Sequence, residues 1–316
     1  MIILLNVAGF YLFFTSYKLY LYYREGGDIM NFDMNFFNLD ISGFSVIRIL
    51  LVLLLLFAFL HWQNYGISTT RYTYSNKKLP KEMKGYKIVQ ISDYHNTKKL
   101  HNKVINLTAC EKPDIIAITG DLMDCRTTDV EAGLNLLKEL VKIAPVYYVT
   151  GNHEARIINI ENIKTRIENI GVHIIEDQKI NIEKDGSFIT LMGVADPHFF
   201  IKGKKEDKQA FRKHLLSFAK GDNSFKVLLS HRPEFIHTYR DSGIDLALTG
   251  HAHGGQFRIP FTNIGVFVPN QGVFPPYAAG VKTLDDTTVI ISRGIGNSVF
   301  PFRLFNRPEI VAVEFE

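Results

Sequence analysis

The chain has 316 residues, 46% of them hydrophobic and 22% charged, with a formal net charge of +4. That length supports one large domain or two smaller ones with a full core, and the basic excess is too slight to argue for nucleic acid as a partner. Two cysteines, Cys110 and Cys125, exclude a disulfide framework, and neither has the Cys/His spacing of a structural zinc site.

Apolar residues crowd the beginning. Residues 1–23 carry one charge, Lys18, over a length sufficient to cross a bilayer, and residues 43–62 carry one, Arg48. Both are read as transmembrane helices, with Tyr17, Tyr20, Tyr22 and Tyr23 fitting an interfacial belt. No basic segment precedes the first stretch, which disfavours a signal peptide. Arg71, Lys77, Lys78, Lys81 and Lys84 follow the second stretch, so the positive-inside rule points the following domain to the cytoplasmic side of the cell membrane. The expected organisation is an anchor over 1–65, a juxtamembrane linker over 66–85 and a soluble domain over 86–316.

From Tyr86 onward short β-rich runs alternate with amphipathic segments. Strands are predicted at 86–91, 114–119 and 146–150, separated by helices at 100–109 and 129–143. A helix at 160–170 precedes strands at 172–175, 180–183 and 188–194. A polar-faced helix at 206–219 leads to strands at 225–229 and 244–249. The Gly-, Pro- and aromatic-rich tail offers strands at 265–268, 288–292 and 310–315. Its Phe267, Phe274, Tyr277, Phe300, Phe302 and Phe305 are read as core in preference to the alternative, a lipid-facing groove near the membrane.

Five of these strands end in metal-ligand residue types: Asp93 and His95, Asp121, Asn152 and His153, His231, and His251 with His253. In an α/β sheet, ligands collect at the carboxyl ends of strands, so these side chains are expected to converge. His251 and His253, two apart in extended chain, can face one cavity together.

The ordered set resembles the calcineurin-like metallophosphoesterases. It comprises Asp-x-His at 93–95, Gly-Asp-x-x-Asp at 120–124, Gly-Asn-His-Glu at 151–154, a later His231, and Gly-His-x-His at 250–253. Gly254-Gly255-Gln256, residues 292–297 and residues 302–308 look like a membrane-anchored branch, of the UDP-2,3-diacylglucosamine pyrophosphatase type, that cleaves pyrophosphates of nucleotide-linked lipid precursors. The resemblance implies a four-layer αββα sandwich of two mixed β-sheets (α/β, α+β) behind N-terminal transmembrane helices. It implies two divalent metals, Asp93, His95 and His253 holding one, Asn152, His231 and His251 the other, with Asp121 bridging. Imidazole, carboxylate and amide together suit Mn²⁺, Fe²⁺ or Zn²⁺. A metal-bridging hydroxide would attack a phosphodiester or pyrophosphate, on a substrate that is lipid-linked in the membrane-anchored branch. His153 would contact the phosphoryl oxygen or protonate the leaving group. Asp124 would orient a ligand imidazole, and Arg258, Arg293 and Arg303 are candidates for a second phosphate. The alternatives are a nuclease or cyclic-nucleotide phosphodiesterase on the same centre, or a silent membrane protein that keeps the fold for binding.

Overall fold

The computed structural model describes residues 43–316 apart from residues 128, 203, 204, 220, 222, 263, 269, 298 and 299. The expected span at 1–23 lies outside the described residues. Helix α1 runs over Gly43–Tyr65, three residues beyond the predicted end at Trp62. The chain divides into two units, residues 1–56 and 57–316. In the first, the Leu, Val and Ile side chains of residues 46–56 are all exposed, on a helix long and apolar enough to cross a membrane.

The second unit is built on two six-stranded sheets among the described residues. The strands of the first are β1 (Ser68–Tyr74), β2 (Lys87–Ile91), β3 (Ile115–Thr119), β4 (Val146–Val149) and β5 (His173–Ile174), with a later strand inserted. Those of the second are β6 (Gln178–Lys184), β7 (Ser187–Gly193), β8 (Lys226–Leu229), β9 (Leu246–Thr249), β10 (Gly280–Leu284) and β11 (Thr287–Ile291). The inserted strand is β12 (Glu309–Phe315), which pairs parallel with β1 and antiparallel with β2. The first sheet continues β2, β3, β4, β5, all parallel. In the second, β7, β8, β9 and β11 run parallel, flanked by antiparallel β6 and β10.

Alternation along the strands explains the layers. In β3, Ile115 and Ala117 face the core between the sheets, whereas Ile116 and Ile118 face helices α2 (His101–Glu111), α3 (Glu131–Leu140) and α4 (Ile160–Asn169). Behind the second sheet, α5 (Lys208–Ala219) buries Phe211, Leu215 and Ala219, one face of a 3.6-residue period, beside α6 (Ile236–Asp241). Each fully buried Leu, Ile or Phe contributes about 1.5–3 kcal/mol of burial. The result is a mixed α/β sandwich. The parallel strands of both sheets point their carboxyl ends the same way, and between them Gln90 donates from Nε2 to Thr119 Oγ1 (2.9 Å) and across to Thr249 O (2.8 Å).

Two expectations need correction. Residues 66–85, read as a linker, contribute β1, because Ser68 to Tyr74 finds a full seven-residue ladder on β12 far along the chain. Most of the aromatic tail is not core: Tyr277 packs half-buried against the core behind the second sheet, but Phe267, Phe274, Phe300, Phe302 and Phe305 are exposed on loops outside the two main sheets.

Candidate metal centre

The strand ends converge as expected. From the first sheet come Asp93 and His95 after β2, Asp121 after β3, and Asn152 and His153 after β4; from the second come His231 after β8 and His251 and His253 after β9. All eight side chains are buried. Asp93, His95 and His253 bring one donor atom each within 4.8 Å of one another, as do Asp121, His231 and His251, and His95, Asp121 and His153.

Asp121 Oδ2 stands between the two groups, 3.6 Å from His95 Nε2 and 3.3 Å from His231 Nε2. Asp93 Oδ1 lies 3.3 Å from His253 Nε2, which is 3.2 Å from His95 Nε2. Asn152 Oδ1 and His231 Nε2 are buried without a hydrogen-bond partner. Buried polar atoms crowded together and left without partners are costly unless a cation holds them, and His231 can bind one once it gives up its proton, so these residues fit divalent metals.

The backbone is strained to achieve this. Asp93, His95, Asp121, His251 and His253 all have positive φ, between 46° and 64°, a conformation that costs non-glycine residues about 1–2 kcal/mol each. Gly250 is required by close approach: a Cβ there would fall on Ser92 Oγ and Asp93 Oδ2. In its place the His251 N–H donates to both Asp93 oxygens at 3.1 Å, joining the sheets at the centre itself.

Electrostatics divide the imidazoles. Burial lowers His95 to about 4 and holds His251 and His253 well below the ordinary value, aided by the Arg232 charge at His251 and by His95 and Arg303 at His253. Burial also opposes charging His231, but Asp121 and Asp93 outweigh it and push His231 up to about 10. Its Nδ1 faces Thr119 O at 2.8 Å, which turns Nε2 toward Asp121.

Several supporting residues escaped the sequence reading. Glu154 is fully buried and accepts the N–H groups of Asp121 (2.9 Å), Gly151 (2.8 Å) and Met123 (2.9 Å), fastening the turns after β3 and β4 together. Arg232, buried and paired with Asp196 at 2.7 Å, sets Nη1 3.1 Å from His251 Nε2. Asn306 donates to His253 O (2.7 Å) and Gln256 O (3.1 Å). Glu154 stood within a quoted motif, but nothing in its spacing signals three backbone donors.

The remaining nominated residues fall in different places. Asp124 Oδ1 is 3.1 Å from His153 Nδ1; burial works against its charge, yet Arg126 holds its carboxyl down at about 2. Arg303 does not reach outward for a phosphate. It is fully buried, donating to Arg293 O (2.8 Å), Asn297 Oδ1 (3.2 Å) and Gly296 O (2.5 Å), with Nη2 3.3 Å from His253 Nδ1. Arg293 is spent on Glu309 (2.9 Å) and Ser68 (2.7 Å). Arg258 is half-buried near Arg293, Glu309 and Tyr72. The structure thus brings the metal-ligand types, His153 and Asp124 together, and commits Arg303 and Arg293 to contacts within the fold.

Comparison with known proteins agrees with this geometry. Residues 86–255 match the calcineurin-like phosphoesterase family model. The chain is 27% identical to an uncharacterized metallophosphoesterase of Aquifex aeolicus, over 83% of this chain and 97% of that one. It is 27% identical to the phosphodiesterase YaeI of Escherichia coli, over 72% of this chain and 82% of that one. A bovine transmembrane protein with a metallophosphoesterase domain is also 27% identical, over 74% of this chain and 53% of that one. With a matching family model across more than half its length and a buried His/Asp cluster at the matching strand ends, the chain belongs to the calcineurin-like phosphoesterases and is a hydrolase of phosphoric ester bonds.

Proposed function

We propose that the protein is a membrane-anchored, dinuclear phosphohydrolase of phosphodiester or pyrophosphate bonds in amphiphilic, lipid-linked substrates. Asp93, His95 and His253 hold one divalent cation, Asn152, His231 and His251 the other, and Asp121 lies between them. The observation that carries this is the meeting, from two sheets, of Asp93, His95 and His253 with Asp121, His231 and His251, Asp121 Oδ2 lying 3.6 Å from His95 Nε2 and 3.3 Å from His231 Nε2. An imidazole-rich set favours Mn²⁺, Fe²⁺ or Zn²⁺ over Mg²⁺ or Ca²⁺. When bound, such a pair neutralises phosphoryl oxygens and lowers the pKa of water.

The chain supplies the rest. His153 Nδ1 faces Asp124 Oδ1 at 3.1 Å and the Cys125 N–H at 3.3 Å, leaving Nε2, 4.0 Å from Asp121 Oδ2, to face the phosphoryl or leaving oxygen. Glu154 and the paired Arg232 and Asp196 keep the donors in place.

The membrane part of the reading rests on the apolar stretch Val46–Tyr65 and on the bovine relative's transmembrane description. It also rests on how close the helix end lies to the centre. Asn64 Oδ1 accepts the Arg303 N–H at 2.7 Å, and Arg303 reaches His253. A headgroup at the bilayer surface would then lie within reach of the metals.

The test is Asp121→Ala and His251→Ala in detergent-purified protein, assayed on a soluble phosphodiester at saturating Mn²⁺ and on a lipid pyrophosphate. Both variants should stay folded and lose hydrolysis. Full activity in either would overturn the ligand assignment, and turnover of soluble diesters alone would overturn the lipid part.

A further inference from the structure

The loops around the metal centre present an apolar face that the hydrolytic reading does not use. Phe261 is 91% exposed, Val273 64% and Phe274 59%, with Ile264, Phe267 and Phe302 exposed beside them. Ring contacts and backbone hydrogen bonds tie these loops to one another. Phe257 meets the rings of Phe300 and Phe302 at 5.2 and 5.3 Å, Arg258 bonds to Leu304 O, and Phe274 bonds to Val266 O. Gln256, directly after the His253 turn, donates to Phe300 O and Phe302 O, so the face is lashed to the centre.

Two observations say what covers it. The first is continuity with the end of α1: Phe305 packs on Phe59 at 5.6 Å, and Arg307 lies over Trp62 at 4.5 Å. Trp62 and Tyr65 at the end of an apolar helix fit the aromatic belt of a membrane–water boundary. The second is backbone conformation. Phe261 and Phe274 have φ of 63° and 51°, where glycine or asparagine would be cheaper and where an exposed aromatic gains little from the fold.

We infer that this face seats in the headgroup–acyl boundary of a lipid bilayer beside α1, holding the mouth of the metal centre against the membrane. This rests on reading residues 46–65 as a membrane span. It goes further in assigning a second membrane contact, made by the loops 257–274 and 300–305. A mouth held at the boundary would meet amphiphilic phosphoesters at their headgroups, with the acyl chains left in the lipid.

The sole tryptophan, Trp62, provides the control. The full chain is placed in phosphatidylcholine vesicles brominated along one acyl chain, and emission is compared with unbrominated vesicles. Wild type reports the helix end. Phe261→Trp and, separately, Val273→Trp, each in a Trp62→Phe background and each with a wild-type far-UV spectrum, report the loops. The expected result is loss of emission at all three positions, with a blue shift at 261 and 273. Quenching at Trp62 without quenching at either loop position overturns the inference and leaves the membrane span standing. Quenching at none of the three overturns both. A blue shift without quenching, accompanied by cross-links between copies, overturns it in favour of a self-association face.

Discussion

Glu154→Gln probes the unforeseen fastener of the centre. The wild-type carboxylate accepts two N–H groups on Oε2 and one on Oε1, all within 2.8–2.9 Å and all buried. An amide of the same shape keeps one oxygen. If it serves Asp121 and Gly151, the new NH₂ opposes the Met123 N–H; flipped, it opposes the other two. At least one buried donor is orphaned, at about 1–3 kcal/mol. Glu154→Ala orphans all three, about 3–9 kcal/mol, against a typical total stability of about 5–15 kcal/mol. Because Asp121 and Gly151 are set by the same carboxyl, metal affinity should fall as well, by roughly 10–100-fold. Guanidinium unfolding of the purified protein and titration of Mn²⁺ into chelator-treated protein measure the two effects. If Glu154→Gln unfolds within about 0.5 kcal/mol of wild type and titrates unchanged, the fastening role is wrong.

Other outcomes follow from the same geometry. Gly250→Ala drives a methyl into Ser92 Oγ and Asp93 Oδ2, so it should lower thermal stability and remove metal uptake at the Asp93 side; metal analysis giving two equivalents would refute it. His231 yields a pH dependence whose sign is fixed. Its folded pKa, about 10, lies above the ordinary 6.5, so its contribution to the stability of metal-free protein is complete below about pH 6.5 and disappears as pH rises through about 10. A metal on Nε2 must displace that proton, so loading at pH 8 should release one proton and apparent affinity should rise about tenfold per pH unit over the same window. Calorimetric titration in buffers of different ionisation enthalpy reads this directly, and a buffer-independent heat would refute it.

The site was legible because its chemistry is local. A buried apolar run followed by Asp, Asn or His, with glycine at the tight approaches, states both a strand end and its cargo. His251 and His253 each joined a different donor group, as a pair on one turn between two sheets can. What stayed hidden depends on partners distant in sequence. β1 reads as a polar, basic stretch, and only the β12 ladder makes it a strand. Arg303 carries the residue type of a phosphate clamp, yet the carbonyls of Arg293 and Gly296 draw it wholly inside. The exposed phenylalanines misled for the opposite reason: composition marks them as core, yet the loops that carry them stand outside the two main sheets and leave their rings exposed.

The insertion of β12 between β1 and β2 also orders events during synthesis. Every residue of the donor set has been translated once His253 is made, but β1 can pair with nothing until Glu309–Phe315 emerges, and until then β2 has an open flank. On a ribosome adding about 5–20 residues per second, the first sheet stays incomplete for several seconds after its last metal-binding residue appears. Over that interval a neighbouring nascent chain can offer its own strand to the same gap, so crowded translation should produce exchanged dimers sooner than misloaded monomers.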